Sequence, residues 1–206
     1  MPYQNRVNPL GDLVATSAKG TLMGNRGRLH DASQKIGQKR WTTKSWVTCA
    51  LSFNGRKRQL LAPDNYTELF FLDEVTALAA GHRPCAECRR ENHRRFIEAW
   101  RVGNGGPSDR KVRVGEIDPV LHADRIDPVA TRPLVDVAML PDAAVVTIDG
   151  SRMWAKWKGS YREWSFHGYG PPEPAPSGRM IVVTPASTLR VLQAGYEAGI
   201  HPTAML

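Results

Sequence analysis

Two cysteines three residues apart, Cys85 and Cys88, lie in the stretch Gly81-His82-Arg83-Pro84-Cys85-Ala86-Glu87-Cys88-Arg89-Arg90, which constrains this chain more than any other segment. Gly81 suits the left-handed position that ends a helix, and Pro84 keeps that helix from running on. The two thiols are therefore expected on a turn, where a Cys-x2-Cys pair offers two ligands to one metal ion. The chain has three cysteines in 206 residues and no leader-like apolar stretch at its start. Thiolate ligation or redox use is then expected ahead of a structural disulfide. No run reaches membrane-spanning length, so a cytoplasmic chain without a membrane partner is expected.

A tetrahedral zinc site needs two further ligands. Cys49 sits on a predicted strand upstream, and His93 falls about one turn into the helix after Cys88; His82 and the more distant His30 are the alternatives. The expected set is Cys49, Cys85, Cys88 and His93 around a structural zinc. No strand–helix–strand pattern of the thioredoxin kind surrounds the pair, and Glu98 stands where a zinc knuckle needs a cysteine.

The remaining punctuation predicts an α+β chain. Residues 46–61 read as a hairpin around Asn54-Gly55, with Cys49 on the face of Val47, Leu51 and Phe53. Asp73 is the expected N-cap of a short helix that Gly81 ends. A second helix is expected over about 89–102, burying His93, Phe96, Ile97 and Trp100 on one face. The glycine-rich stretch at 103–109 suggests a boundary. We expect a zinc-stabilised domain of a hairpin plus helices at 1–102, a linker at 103–117, and a short-stranded antiparallel β domain with a C-terminal helix at 118–206. Strands are expected at 144–149, 152–157, 160–165 and 180–183. The proline-rich stretch 167–176 should be extended, and Thr184-Pro185 should open the last helix, closed by Gly195. Trp154, Trp157, Tyr161 and Trp164 read as a β core ahead of a base-stacking platform.

The stretch Asp73-Glu74-Val75-Thr76-Ala77-Leu78-Ala79-Ala80-Gly81-His82-Arg83-Pro84-Cys85-Ala86-Glu87-Cys88 resembles the second half of the zinc-binding module of Ada-type DNA methylphosphotriester repair proteins. The likeness covers about 20 residues and implies a zinc-stabilised fold directed at DNA rather than RNA. That family draws its first two ligands from a Cys-x3-Cys pair, one of which accepts the methyl group; here the matching positions are Ser45 and Cys49. The chain as a whole also resembles a bacterial protein group, a likeness that carries no function with it.

Charge points to a polyanion. There are 28 lysines and arginines against 20 acids, a formal +8. Arg90, Arg94 and Arg101 lie on one flank of the second predicted helix beside Arg89, and Arg56, Lys57 and Arg58 on the predicted return strand. These seven are the expected nucleic-acid contacts, though a solvated face would look the same. Arg26, Arg28 and His30 could hold phosphate or form part of a basic loop. Three functions follow: a zinc-stabilised nucleic-acid-binding protein; a hydrolase acting on nucleic acid, with His30 and Asp31 or His122 and Asp124 as acid–base groups; and a scaffold docking a protein partner through residues 170–176.

Overall fold

A computed structural model describes residues 1–56, 59–128, 132, 134–176 and 180–206. The chain is α+β. A mixed six-stranded sheet with helices comes first, followed by a six-stranded antiparallel sheet and a helix near the C-terminus.

The first sheet comprises β1 (Arg6–Val7), β2 (Leu13–Val14), β3 (Leu22–Asn25), β4 (Val47–Ala50), β5 (Leu69–Phe71) and β6 (Arg83–Pro84), in the order β2-β1-β5-β3-β4-β6. β1 runs parallel to β5 and β4 parallel to β6. Val7, Leu13, Leu69 and Phe71 bury one face of it against Ala77 and Ala80. The hairpin expected at 46–61 does not form among the described residues. Asn54 and Gly55 do turn, both at positive φ, yet β4 pairs with β3 on one edge and β6 on the other. With both edges occupied, no place is left beside it for a returning strand.

Helix α1 (Glu74–Ala79) begins where Asp73 predicts, its carboxylate accepting from the Thr76 amide at 2.8 Å. It ends at Gly81, whose φ is +77°. A Cβ there would also lie 2.6 Å from Cδ of Arg125, so two constraints hold this glycine in place. Helix α2 (Arg90–Gly103) buries Phe96 and Trp100, as its periodicity requires. Helix α3 (Val114–Ile126) begins within the last residues of the expected linker and carries Pro119 inside it. Pro119 disguises it in the sequence, because an internal proline removes a helical hydrogen bond. Buried Ile117 and Leu121 on one face hold it to the core.

The second sheet contains β7 (Leu134–Val135), β8 (Val145–Thr147), β9 (Met153–Trp157), β10 (Ser160–Ser165), β11 (Gly168–Glu173) and β12 (Met180–Val182), ordered β11-β10-β9-β8-β12-β7. Its alternation splits two cores. Val145, Met153 and Ala155 face the helices, while Val146, Trp154 and Tyr161 pack on the opposite side. Helix α4 (Ala186–Gln193) is capped by Pro185 rather than Thr184, whose hydroxyl accepts from the Val145 amide instead. The largest core takes residues from both sides of 103–117: Phe96 and Trp100 of α2 meet Val191 and Tyr196, and Val75 and Leu78 meet Trp164 and Tyr169. Polar groups follow the same path, with Asp73 accepting from the Tyr169 hydroxyl at 2.9 Å and Glu74 from the Tyr196 hydroxyl at 2.7 Å.

Candidate metal centre

Strand register assembles the thiols. β4 and β6 are paired so that Thr48 lies opposite Pro84, and the Cys85 amide donates to the Thr48 carbonyl at 2.8 Å. One residue further along each strand, Cys49 and Cys85 therefore lie side by side. The turn that follows, closed by the Arg89 amide on the Cys85 carbonyl at 3.2 Å, brings Cys88 back to them. All three sulfur atoms lie within 4.8 Å of one another. Two backbone amides point at the group, Ala50 N donating to Sγ of Cys88 and Glu87 N to Sγ of Cys85, both at 3.4 Å. Such donors favour a thiolate over a thiol.

The free thiols share their protons unequally. A hydrogen bond from Cys49, then the amides of Cys88 and Glu87, pull Cys85 well below the ordinary thiol range against the opposing cost of burial. Cys49 is pushed up by that same bond and by its burial, and Cys88 is raised chiefly by burial. Three sulfurs this close cannot all ionise without a counter-charge, and a divalent cation supplies it. The cluster can hold a metal ion such as zinc.

His93 is adjacent to this group without being part of it. Its Nδ1 lies 3.0 Å from the Pro84 carbonyl and donates to it, which leaves Nε2 as the other ring nitrogen. His82, the alternative ligand, is spent elsewhere. Nδ1 donates to the Ala80 carbonyl at 3.1 Å and Nε2 accepts from Nε of Arg26 at 3.2 Å. Burial, followed by the charges of Arg26 and Arg125, holds this ring neutral. His30 is likewise occupied by the Thr67 hydroxyl at 2.7 Å and the Ala62 carbonyl at 3.2 Å.

The expected acid–base pairs do not meet as pairs. Asp31 is exposed and accepts from the Ser33 hydroxyl and the Ser33 and Lys35 amides, while the ring of His30 is buried against other partners. Nδ1 of His122 lies 2.9 Å from Arg125, and Asp124 accepts from the Ser187 amide at 2.8 Å. Ser45 donates to Asp118. That carboxylate also takes a two-pronged contact from Arg83 at 2.7 and 2.9 Å, a buried pair fastening β6 to α3. The pair gives no local sign in the sequence, its members being 35 residues apart.

The expected phosphate contacts divide. Arg89 turns inward to Glu74 at 2.8 Å and to the Thr48 hydroxyl at 3.0 Å, so its guanidinium is withdrawn from the surface. Arg94 and Arg101 are exposed to different degrees and paired with Glu91 and Glu98 on their own helix, and Arg56 pairs with Glu87. Arg90 is exposed, and Lys57 and Arg58 lie outside the described residues. The strongest concentration of positive charge is elsewhere, at 26–44, where six lysines and arginines face one acid, Asp31. All but Arg26 of the six are exposed, as is Trp41 among them. Among the described residues no helix is long and apolar enough to cross a membrane. Comparison with protein-family models, with curated proteins and with solved structures finds no match for the chain.

Proposed function

We propose that this chain is a nucleic-acid-binding protein whose Cys49, Cys85 and Cys88 hold a structural zinc ion. His93 completes the tetrahedron, because the proton on its Nδ1 is held by a carbonyl and its Nε2 is the nitrogen left to ligate. Zinc, when bound, neutralises the thiolates and ties β4 to the loop before α2. One observation carries the binding reading: exposed Lys35, Lys39, Arg40 and Lys44 flank exposed Trp41 on one segment, whose Arg28 is paired with Asp64. Cations that follow a backbone, with an aromatic face among them, are what a flexible nucleic-acid strand recognises. The reading favours this segment over α2, whose Arg94 and Arg101 are already offset by acids. DNA is the expected polymer, on the resemblance at 73–88.

Anisotropy titrations of labelled single- and double-stranded DNA and RNA between 50 and 200 mM salt test this. Binding should fall steeply with salt, and Lys35→Ala/Lys39→Ala/Lys44→Ala should lower the log–log slope by about 3, roughly one for each phosphate that a lysine no longer neutralises. Salt-insensitive binding, or a triple variant with the wild-type slope, would remove the proposal.

A further inference from the structure

Arg26 is 1% exposed, yet no carboxylate meets it. Its Nε donates to His82 and its Nη1 to the Gly11 carbonyl at 2.8 Å, while its buried Nη2 has no hydrogen-bond partner among the described residues. The guanidinium carbon lies 4.1 Å from the centroid of the Trp46 ring, and that of Arg125 lies 3.7 Å from the same ring. Arg125 likewise makes no ion pair among the described residues, the charge of Asp118 acting on it from further off. It donates to the Gly81 and Lys44 carbonyls at 2.9 and 2.6 Å, and its buried Nε is unpartnered. Burial first pulls each down to about 9, so at neutral pH both remain cations.

A buried cation and a half-buried one beside neutral histidines are costly unless something negative joins them. A cavity of about 160 Å³ adjoins both. Arg40 and Arg132 also line it, against one acid, Asp12. A cavity of about 150 Å³ accommodates a benzene-sized molecule, so a tetrahedral oxyanion fits with room to spare. Trp41 borders the same cavity and is 39% exposed.

We infer that this cavity is a binding site for a phosphate monoester, with Arg26 and Arg125 as its floor and Arg40 at its mouth. The guanidinium groups of Arg26, Arg125 and Arg40 against one carboxylate suit a dianion better than a single carboxylate ligand, and their fork geometry matches phosphate oxygens; Arg132 is turned to the Val182 and Val183 carbonyls. Gly11, whose φ is +89°, presents the carbonyl that takes Nη1 of Arg26. The phosphate could be carried by a free mononucleotide or by the end of a nucleic-acid strand, with Trp41 offering its face to the base in either case. The site does not depend on the surface lysines invoked above.

The test is calorimetric titration of the full chain with inorganic phosphate, a nucleoside 5′-monophosphate, and an oligonucleotide with and without a 5′-phosphate, at matched ionic strength. Saturable binding is expected for each phosphorylated probe, weakened about tenfold or more by Arg40→Ala and by Arg26→Met. Arg26→Met keeps the packing on Trp46 and removes the charge; Arg40 is exposed, so its variant folds irrespective of the interior. A preference for the mononucleotide assigns the free ligand, and a preference for the phosphorylated strand assigns its end. Phosphate that binds no better than chloride, citrate that binds better than phosphate, or both variants binding as wild type would overturn the inference. The triple lysine variant separates the two readings. It should keep phosphate binding even where it loses the oligonucleotide.

Discussion

The guanidinium of Arg89 and the carboxylate of Glu74 meet at 2.8 Å in the interior, their side chains 10% and 2% exposed. Arg89 follows Cys88 directly, and Glu74 is the first residue of α1. Glu74 also accepts from the Tyr196 hydroxyl and from the Gly199 amide at 2.9 Å. The loop that carries the thiols is thereby fixed to the C-terminal part of the chain through one carboxylate.

Removing one member of this pair should be expensive, because the other is left charged and buried. Arg89→Met is expected to cost about 3–5 kcal/mol in urea unfolding. Replacing an exposed member of the surface pairs, Arg94→Met, should cost under about 1 kcal/mol. Equal losses in the two variants would show that Arg89 is not held as described.

Metal removal should act on the same loop. At a free zinc concentration of about 1,000 times Kd the ion contributes about 4 kcal/mol, equivalent to roughly 10 °C in the thermal midpoint for a chain of this length. Chelation should lower the midpoint by that order, and Cys85→Ser or Cys88→Ser should abolish the chelator's effect. A midpoint indifferent to chelator in a sample that carries zinc would place the ion outside the three thiols.

His82 gives a pH prediction. Its folded pKa lies well below the ordinary 6.5, with burial the first cause. As pH falls through 6.5 the unfolded chain takes up a proton that the folded ring refuses, so stability is lost on acidification and recovered on returning to neutral pH. His82→Gln keeps a donor and an acceptor but does not titrate. Between pH 6 and 5 its stability should fall less steeply than that of the parent, by about 1.4 kcal/mol per pH unit. Parallel pH profiles would mean that the ring protonates in place.

Local chemistry was readable where a single residue decides it. Asp73 as a cap, Gly81 as a stop and the Cys85–Cys88 turn each follow from one side chain or one backbone requirement. The strands of the second sheet followed from alternation between marked turns. Pairing that depends on distant partners was not readable: β4 takes β3 and β6 as neighbours instead of the segment that follows its own turn. Helix α3 was hidden by Pro119, whose missing donor is outweighed by the burial of Ile117 and Leu121. The site divides the same way. The three cysteines were marked by spacing and by strand position, whereas Arg26 read as a loop residue because nothing local shows that Trp46, His82 and Gly11 enclose it.

Gly81 connects the readable part to the hidden one. Its positive φ ends α1, and its missing side chain leaves space for the stem of Arg125, whose Cδ and Cβ would lie 2.6 and 2.8 Å from an added Cβ. Gly81→Ala should therefore carry two costs. The left-handed backbone contributes about 1–2 kcal/mol. Displacing Arg125, which is anchored by the Gly81 and Lys44 carbonyls and by Trp46, contributes a further overpacking cost of about 1–3 kcal/mol. Only the second cost depends on the arginine, so a double-mutant cycle separates them. In an Arg125→Gly background, which removes the Cβ as well as the stem, urea unfolding should show Gly81→Ala costing the backbone part alone. An unchanged cost in that background would mean that the glycine serves the helix end and has no part in seating Arg125 beside Trp46.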